Sequence, residues 1–431
     1  MERRIGLKRT LGLFEVTLSG IGIILGAGIY ALIGEAAGLA GNAVWISFAL
    51  SAMVALLTGL SYAELASMFP RASAEYEYTG QAFGRIPAFL IGWMITFSGV
   101  IGAATVALGF AGYLQALTGA PGIPSAIALV VLLSSVMLLG VKQSAQLAMV
   151  FTTIEALGLV FVIVLGIPYL GRADYLEMPL GITGVFQASA LIFFAFIGFE
   201  EIVKLSEEAR DPEKNIPLGL VLAISSSIIL YMLVALSSVS ILGWQRLCQS
   251  NAPFAEIASA ALGEGASSLI SVVALFATGN TVLLMLLASS RIIYGMADAG
   301  ALPGFLAAVH PVTRTPWKAI MISSALAIAS VLPGDIAFVA NVNNFTVFVT
   351  FIVINAALID LRYSRPDTIR PFRIPISAGR LPLLPVMGIA SNSFMLMQLS
   401  PEVLAAGCTL ALLGGVACLI LKGMGLPSSQ P

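Results

Sequence analysis

The chain has 431 residues, 58% of them hydrophobic and 10% charged, with a net charge of −1 and a mean hydropathy of +0.99. Ordinary soluble domains carry about 25% charged residues, so the composition excludes a soluble globular protein, and the lack of a large basic segment argues against nucleic acid as a partner. Cys248, Cys408 and Cys418 have neither CxxC nor metal-ligand spacing, so no disulfide framework, metal site or cofactor is expected.

In chain order, apolar runs long enough to cross a hydrocarbon layer of about 30 Å lie near 12–35, 42–67, 86–113, 124–140, 145–169, 184–204, 217–242, 267–294, 317–333, 336–360, 381–399 and 402–421. These predict twelve helical spans. The connections are short, so 1–431 reads as one all-α polytopic membrane domain. With the amino terminus cytoplasmic, only Arg172 and Arg246 of the 21 Lys and Arg residues fall on the outer side, as the positive-inside rule requires. Both termini are then cytoplasmic, and the expected membrane is the plasma membrane. A basic start followed by an apolar run suggests a signal peptide, but this run exceeds a signal core and further spans follow it.

The first span, "SGIGIILGAGIYALIGEA", carries glycine at 20, 22, 26, 28 and 34. An unpaired backbone group in hydrocarbon costs several kcal/mol, so a break survives only where protein, water or ligand satisfies it. Gly26 and Gly28 permit a non-helical turn that bares amides and the positive end of a half helix, which suits a carboxylate. The sixth span, "GVFQASALIFFAFIGFEEIVKLSEEA", places Gly198 before Glu200 and Glu201. A break from Ala195 to Gly198 would free carbonyl oxygens for an ammonium group. The two loci together describe an α-amino acid; close packing of neighbouring helices is the alternative reading of the small residues.

"YTGQAFG" before the third span and "EIASAALG" before the eighth are spaced much as Gly26 and Gly198 are, with the members of each pair on opposite faces. Broken helices in halves of opposite orientation point to a secondary transporter with a midplane site. The halves would be spans one to five (about 10–170) and six to ten (about 180–361), with two extra helices at about 381–422.

On these motifs the sequence resembles the amino acid, polyamine and organocation transporter superfamily, nearest its prokaryotic amino acid permeases and cationic amino acid transporters. "GIGIILGAGIY", "FFAFIGFEE", "EEARDPEKNIPLGL", "SRIIYGMADAGALP", "RTPWKAI" and "RPFRIP" carry the resemblance. It implies two inverted five-helix repeats. It also implies a substrate carboxylate at Ala27 and the Gly28 amide, an amino group at the carbonyls of Ile24, Phe194 and Ile197, and Phe194 as a gate. Relatives with serine at Ala27 have a hydroxyl that this chain lacks. Ser73 and Ala74 replace paired glycines, and Asp298-Ala299 replaces an arginine-aspartate pair, which bears on gating.

Glu155 is alone in "QLAMVFTTIEALGLVFVIVLG", where an ionised group costs at least roughly 2.5 kcal/mol unless it faces protein or a cavity. Many prokaryotic relatives have lysine there. Glu155 therefore binds either a proton or a cation; the proton is favoured because an isolated buried carboxyl neutralises readily, and a tie between helices is the structural alternative. Asn280 and Thr281 in span eight are candidate oxygen ligands for such a cation, or packing residues. Glu200 is read as a proton sensor or inner gate, or as one half of an ion pair with Lys204 at i,i+4. Glu15, Glu35 and Glu64 are expected at the interface, and Trp45, Trp93, Trp244 and Trp317 in an aromatic belt. His310 is read as a structural loop residue.

No HExxH or GxxxxGK[ST] occurs, which argues against a metalloprotease and against ATP drive. A single asymmetric chain with two unlike breaks does not suit a channel filter. The expected function is secondary active transport of neutral or, second, cationic amino acids by proton symport. Exchange and sodium coupling are the alternatives, and lipid, substrate and the coupling ion the partners.

Overall fold

Our computed structural model describes residues 11–69, 74–139, 141–207, 209–298 and 300–423, without the side chains of 74, 141–152, 204, 206, 207, 264, 422 and 423. The basic residues at 3, 4, 8 and 9, Ser73, Ala299, and the side chains of Ala74 and Lys204 thus lie outside it. Each expected span coincides with helix. Span 1 is Leu13–Ile24 and Gly28–Ala40, span 2 Val44–Met68, span 3 Arg85–Thr118, span 4 Gly122–Leu139 and span 5 Val141–Gly166. Span 6 is Gly181–Ile192 followed by tighter turns at Phe193–Phe196 and Phe199–Glu207. Span 7 is Pro212–Leu242, span 8 Glu264–Asp298, span 9 Trp317–Val331, span 10 Ile336–Ser364, span 11 Leu383–Met397 and span 12 Pro401–Gly423. Among the described residues, eight stretches are long and apolar enough to cross a membrane, and further shorter helices are apolar. The protein is an all-α polytopic membrane protein; its described strands are a two-residue pair, Ser377–Ala378 with Leu381–Pro382.

Helix ends follow local chemistry. Span 10 begins where the Asp335 carboxylate accepts from Phe338 N–H at 3.0 Å, an N-cap bond worth about 1 kcal/mol. The short helices Ala74–Phe83 and Pro253–Leu262 precede spans 3 and 8, and each ends at a glycine of positive φ, Gly84 and Gly263.

The two broken spans run side by side. The first half of span 1 packs on span 7 and the second half on the start of span 6, while span 2 packs on span 7 and the start of span 6. Span 3 packs chiefly on spans 8 and 10. Polar ties cross between these groups. Ser61 donates to Asn355 Oδ1 at 2.6 Å, and the amides of Asn355 and Asn392 donate to Thr58 at 3.1 and 3.0 Å. Span 11 docks there through Gly388, whose hydrogen side leaves only enough room for Asn355.

The expectation for Glu64 is corrected here. It is fully buried in span 2 rather than interfacial. Arg362 of span 10 donates to it from Nε at 3.0 Å and Nη2 at 2.5 Å, Ile374 N–H donates at 2.8 Å, and Arg370 Nε lies at 3.4 Å. A paired, hydrogen-bonded carboxylate tolerates burial that an isolated one does not. The pair also anchors the segment after span 10 through Ile374 N–H on Glu64 and Arg362 Nη1 on Ser377 at 2.8 Å, and beside it Ser67 and Phe372 exchange side-chain to backbone bonds at 3.3 Å. Trp93 ties span 3 to span 12, its indole N–H donating to Leu410 O at 3.1 Å.

Candidate functional site

The span 1 helix stops at Ile24 and restarts at Gly28, with Leu25, Gly26 and Ala27 between. The new ladder first closes from Ala31 N–H to Ala27 O at 3.0 Å, so the amides of Gly28, Ile29 and Tyr30 begin the half helix without intrahelical acceptors. Gly28 is there for close approach. A Cβ on it would stand 2.7 Å from Ala195 Cα and 3.1 Å from the Phe194 ring. Gly26 needs no left-handed backbone; its bare face lies in van der Waals contact with Thr281.

Span 6 tightens from Phe193, two residues before the expected break, and turns at Ile197 and Gly198. Gly198 has φ +122°, and a Cβ there would lie 3.1 Å from Ile23 O, so this turn does require glycine. The two breaks are therefore in direct contact, Gly28 against Ala195 and Gly198 against Ile23.

Several groups expected to be free are partly engaged. Ala27 N–H donates to Thr281 Oγ1 at 2.9 Å, so of the two expected carboxylate contacts the Gly28 amide is the one left to the half-helix end. Tyr231 of span 7 donates to Ile24 O at 2.6 Å and to Ala195 O at 3.0 Å, which ties the two breaks together. Phe194 O accepts from Ile197 N–H at 3.3 Å. Each carbonyl has a second lone pair, so these bonds orient the oxygens of Ile24 and Phe194 without exhausting them. Phe194 is 2% exposed, in the tightened segment of span 6 with its ring against Gly28. Asn344 of span 10 donates to Ala190 O at 2.7 Å and Leu191 O at 3.0 Å, holding the carbonyls released where span 6 tightens.

Glu155 is 1% exposed, and neither carboxyl oxygen has a partner at hydrogen-bond geometry among the described residues. The Asn280 side chain bears on it, as do the hydroxyls of Tyr30 and Tyr231 electrostatically. Tyr30 donates to the Glu155 backbone carbonyl at 2.9 Å, and Tyr113 donates to Tyr30 O at 3.0 Å. Glu155, Asn280, Thr281 and the span 1 break thus form one contiguous region. Glu200 is separate from it. Its carboxylate accepts from Gly198 N–H at 2.9 Å, with Glu75 and Glu201 nearby; its expected partner Lys204 has no described side chain. His310 accepts from Thr313 N–H at 3.3 Å within its own loop, away from both breaks.

One turn beyond Gly28, a cavity of about 190 Å³ is lined by Ala31, Glu35, Gln115, Asn251 and Gly334 among others. It approaches the breaks from the end of the molecule opposite the Glu64 ion pair.

A model of the amino acid permease family matches residues 11–418. The chain belongs to that family. This permease is 31% identical over 418 residues to the branched-chain amino acid permease BcaP of Bacillus subtilis, covering 91% of this chain and 88% of that protein. It is 31% identical over 404 residues to the methylthioribose transporter of Bacillus subtilis, covering 88% of the chain and 86% of that protein. Over 389 residues it is 28% identical to the vacuolar cationic amino acid transporter 4 of Arabidopsis thaliana, with 84% and 64% covered. The family read from the span motifs is the family found. These relatives are permeases and transporters, and the chain is a transporter rather than an enzyme.

Sequence reasoning missed Tyr231, Asn344 and the Glu64–Arg362 pair. The signal for Tyr231 was a lone hydroxyl-bearing ring in "IILYMLVAL", since a buried tyrosine finds a partner for its O–H.

Proposed function

We propose that the permease is a secondary active transporter of α-amino acids that works by alternating access and couples uptake to protons through Glu155. The contact between the two broken spans carries this reading. It sets the amide end of one half helix (Gly28) beside the carbonyls of another break (Phe194, Ile197), with Ile24 facing them, which is the donor and acceptor pattern of a zwitterion. Gly26, Ala27 and Gly198 shape the backbone of that site. The permeases and transporters of amino acids among its relatives support the substrate class, and a break region whose nearby ionisable groups are the carboxyls of Glu155 and Glu200 favours neutral side chains over acidic ones.

The same reading takes 10–170 and 180–361 as inverted repeats, supported by the paired short helices ending at Gly84 and Gly263, and 381–422 as an addition. The termini are cytoplasmic and the membrane is the plasma membrane. Glu200, bonded to the Gly198 amide, senses or gates from the inner side of the break. Cation coupling is the second reading, favoured by one observation: Asn280 and Thr281 stand with Glu155 beside the span 1 break, where oxygen ligands for sodium would be needed.

Uptake of labelled amino acids into proteoliposomes, with and without an inward proton gradient, a sodium gradient and internal amino acid, tests this. Proton-driven uptake into empty vesicles is expected. A strict sodium requirement selects the second reading, and uptake only with internal amino acid makes the protein an exchanger.

A further inference from the structure

Most buried carboxamides described in this permease are used. Asn344 holds two carbonyls of span 6, Asn355 accepts from Ser61 and donates to Thr58 and Phe351 O, and Asn392 donates to Thr58 and Gly388 O. Asn343 is the exception. It is 0% exposed, and among the described residues neither Oδ1 nor Nδ2 has a hydrogen-bond partner. Among the described residues it holds the one buried side-chain amide nitrogen left without an acceptor. Unsatisfied acceptors are tolerated more readily than unsatisfied donors, so such a group calls for a partner that comes and goes.

Its surroundings indicate which partner. A Cβ on Gly102 of span 3 would meet Asn343 Nδ2 at 3.7 Å and Met285 Sδ of span 8 at 2.9 Å. Asn343 therefore lies in the seam of spans 3, 8 and 10, under a thioether. Met285 is one helical turn from Thr281, whose hydroxyl holds the Ala27 amide at the carboxylate end of the zwitterion site. The seam thus begins one turn along span 8 from that site, on the side to which a substrate side chain would have to project. Met285 is unbranched and flexible and can swing to admit it. None of 86–118, 265–290 or 336–359 contains Asp, Glu, Lys, Arg or His, so the seam offers no counter-charge.

We propose that Asn343 selects amino acids whose side chains are uncharged and hydrogen-bonding, hydroxyl or carboxamide, over aliphatic ones of the same shape. This rests on the amino acid reading above and deepens it. In the open states water reaches the amide; a ligand displacing that water without replacing its bonds loses affinity. Leaving one buried polar group unpaired corresponds to about a 5- to 150-fold discrimination.

Threonine and valine, which share a shape, are the deciding pair. Their half-inhibition concentrations are measured against labelled alanine uptake in proteoliposomes of the wild-type protein and of Asn343→Leu. Threonine is expected to compete about 5- to 150-fold better than valine in the wild type, with the ratio falling to one or reversing in Asn343→Leu. If that variant is not recovered as folded protein, Asn343→Ala replaces it with the same expectation. Valine competing as well as threonine in the wild type, or a threonine preference that survives in the variant, overturns the role of Asn343 while amino acid transport stands. No uptake of any amino acid by the wild type overturns the reading beneath it, and this one with it.

Discussion

Glu64 and Glu155 are both withdrawn from solvent, at 0% and 1% exposure, yet they are built in opposite ways. Glu64 has a guanidinium bound through two nitrogens, a backbone amide and a second arginine beside it. Glu155 has none of these, and both its oxygens stand unbonded among the described residues. A buried carboxylate with its counter-charge and donors supplied is complete and serves the fold. A buried carboxyl without them lacks that completion, and the proton uptake proposed for Glu155 builds on this difference. Burial alone does not distinguish structure from function; the state of the hydrogen bonds does.

The contrast can be broken most forcefully at Arg362. Arg362→Ala takes away the guanidinium bound to Glu64 through two nitrogens and leaves only Arg370 at 3.4 Å; it should lose up to about 3–5 kcal/mol, read from thermal or denaturant unfolding in detergent. Removing both charges, with Glu64→Leu and Arg362→Met, should recover most of it, and an Arg362→Ala protein as stable as the parent would dissolve the distinction.

Gly28→Leu comes next. Sequence alone predicts a folded protein without binding, but the Ala195 backbone stands where the new side chain would go. Loss of uptake should therefore come with a stability loss of about 1–3 kcal/mol from overpacking. Unchanged affinity would remove the carboxylate assignment.

Tyr231→Phe takes away the one donor shared by Ile24 O and Ala195 O, and a loss of about 1–2 kcal/mol is expected with slower uptake. Normal uptake kinetics would mean that the tie between breaks is dispensable.

Glu155→Gln should have the smallest effect on stability, within about 1 kcal/mol, because the amide keeps the shape of the carboxyl and an oxygen for the Asn280 side chain. Uptake should no longer be accelerated by an imposed pH gradient. Acceleration that persists in this variant would place the proton elsewhere and return Glu155 to the company of Glu64.

Legibility followed the range of the interaction. The Gly198 turn was readable because a positive φ demands glycine locally, and Glu155 because one carboxyl in a long apolar run violates the composition around it. Glu64 looked interfacial because Arg362, far off in the chain, is invisible as its partner in one dimension. The span 6 break was placed two residues late, since "FFAF" has no glycine or proline to mark its tightening at Phe193. Thr281 was named as a possible ligand, but its bond to the Ala27 amide links spans far apart in sequence.

By itself the sequence determined the membrane class, the places of the apolar helices, the two breaks and the family, because hydrocarbon thickness, hydropathy and glycine chemistry act along a continuous stretch of chain. Only the tertiary structure decided which buried polar groups are complete and which are waiting. Their partners come from other helices, and a hydrogen bond depends on ångström distances between residues whose spacing in the chain carries no information about them.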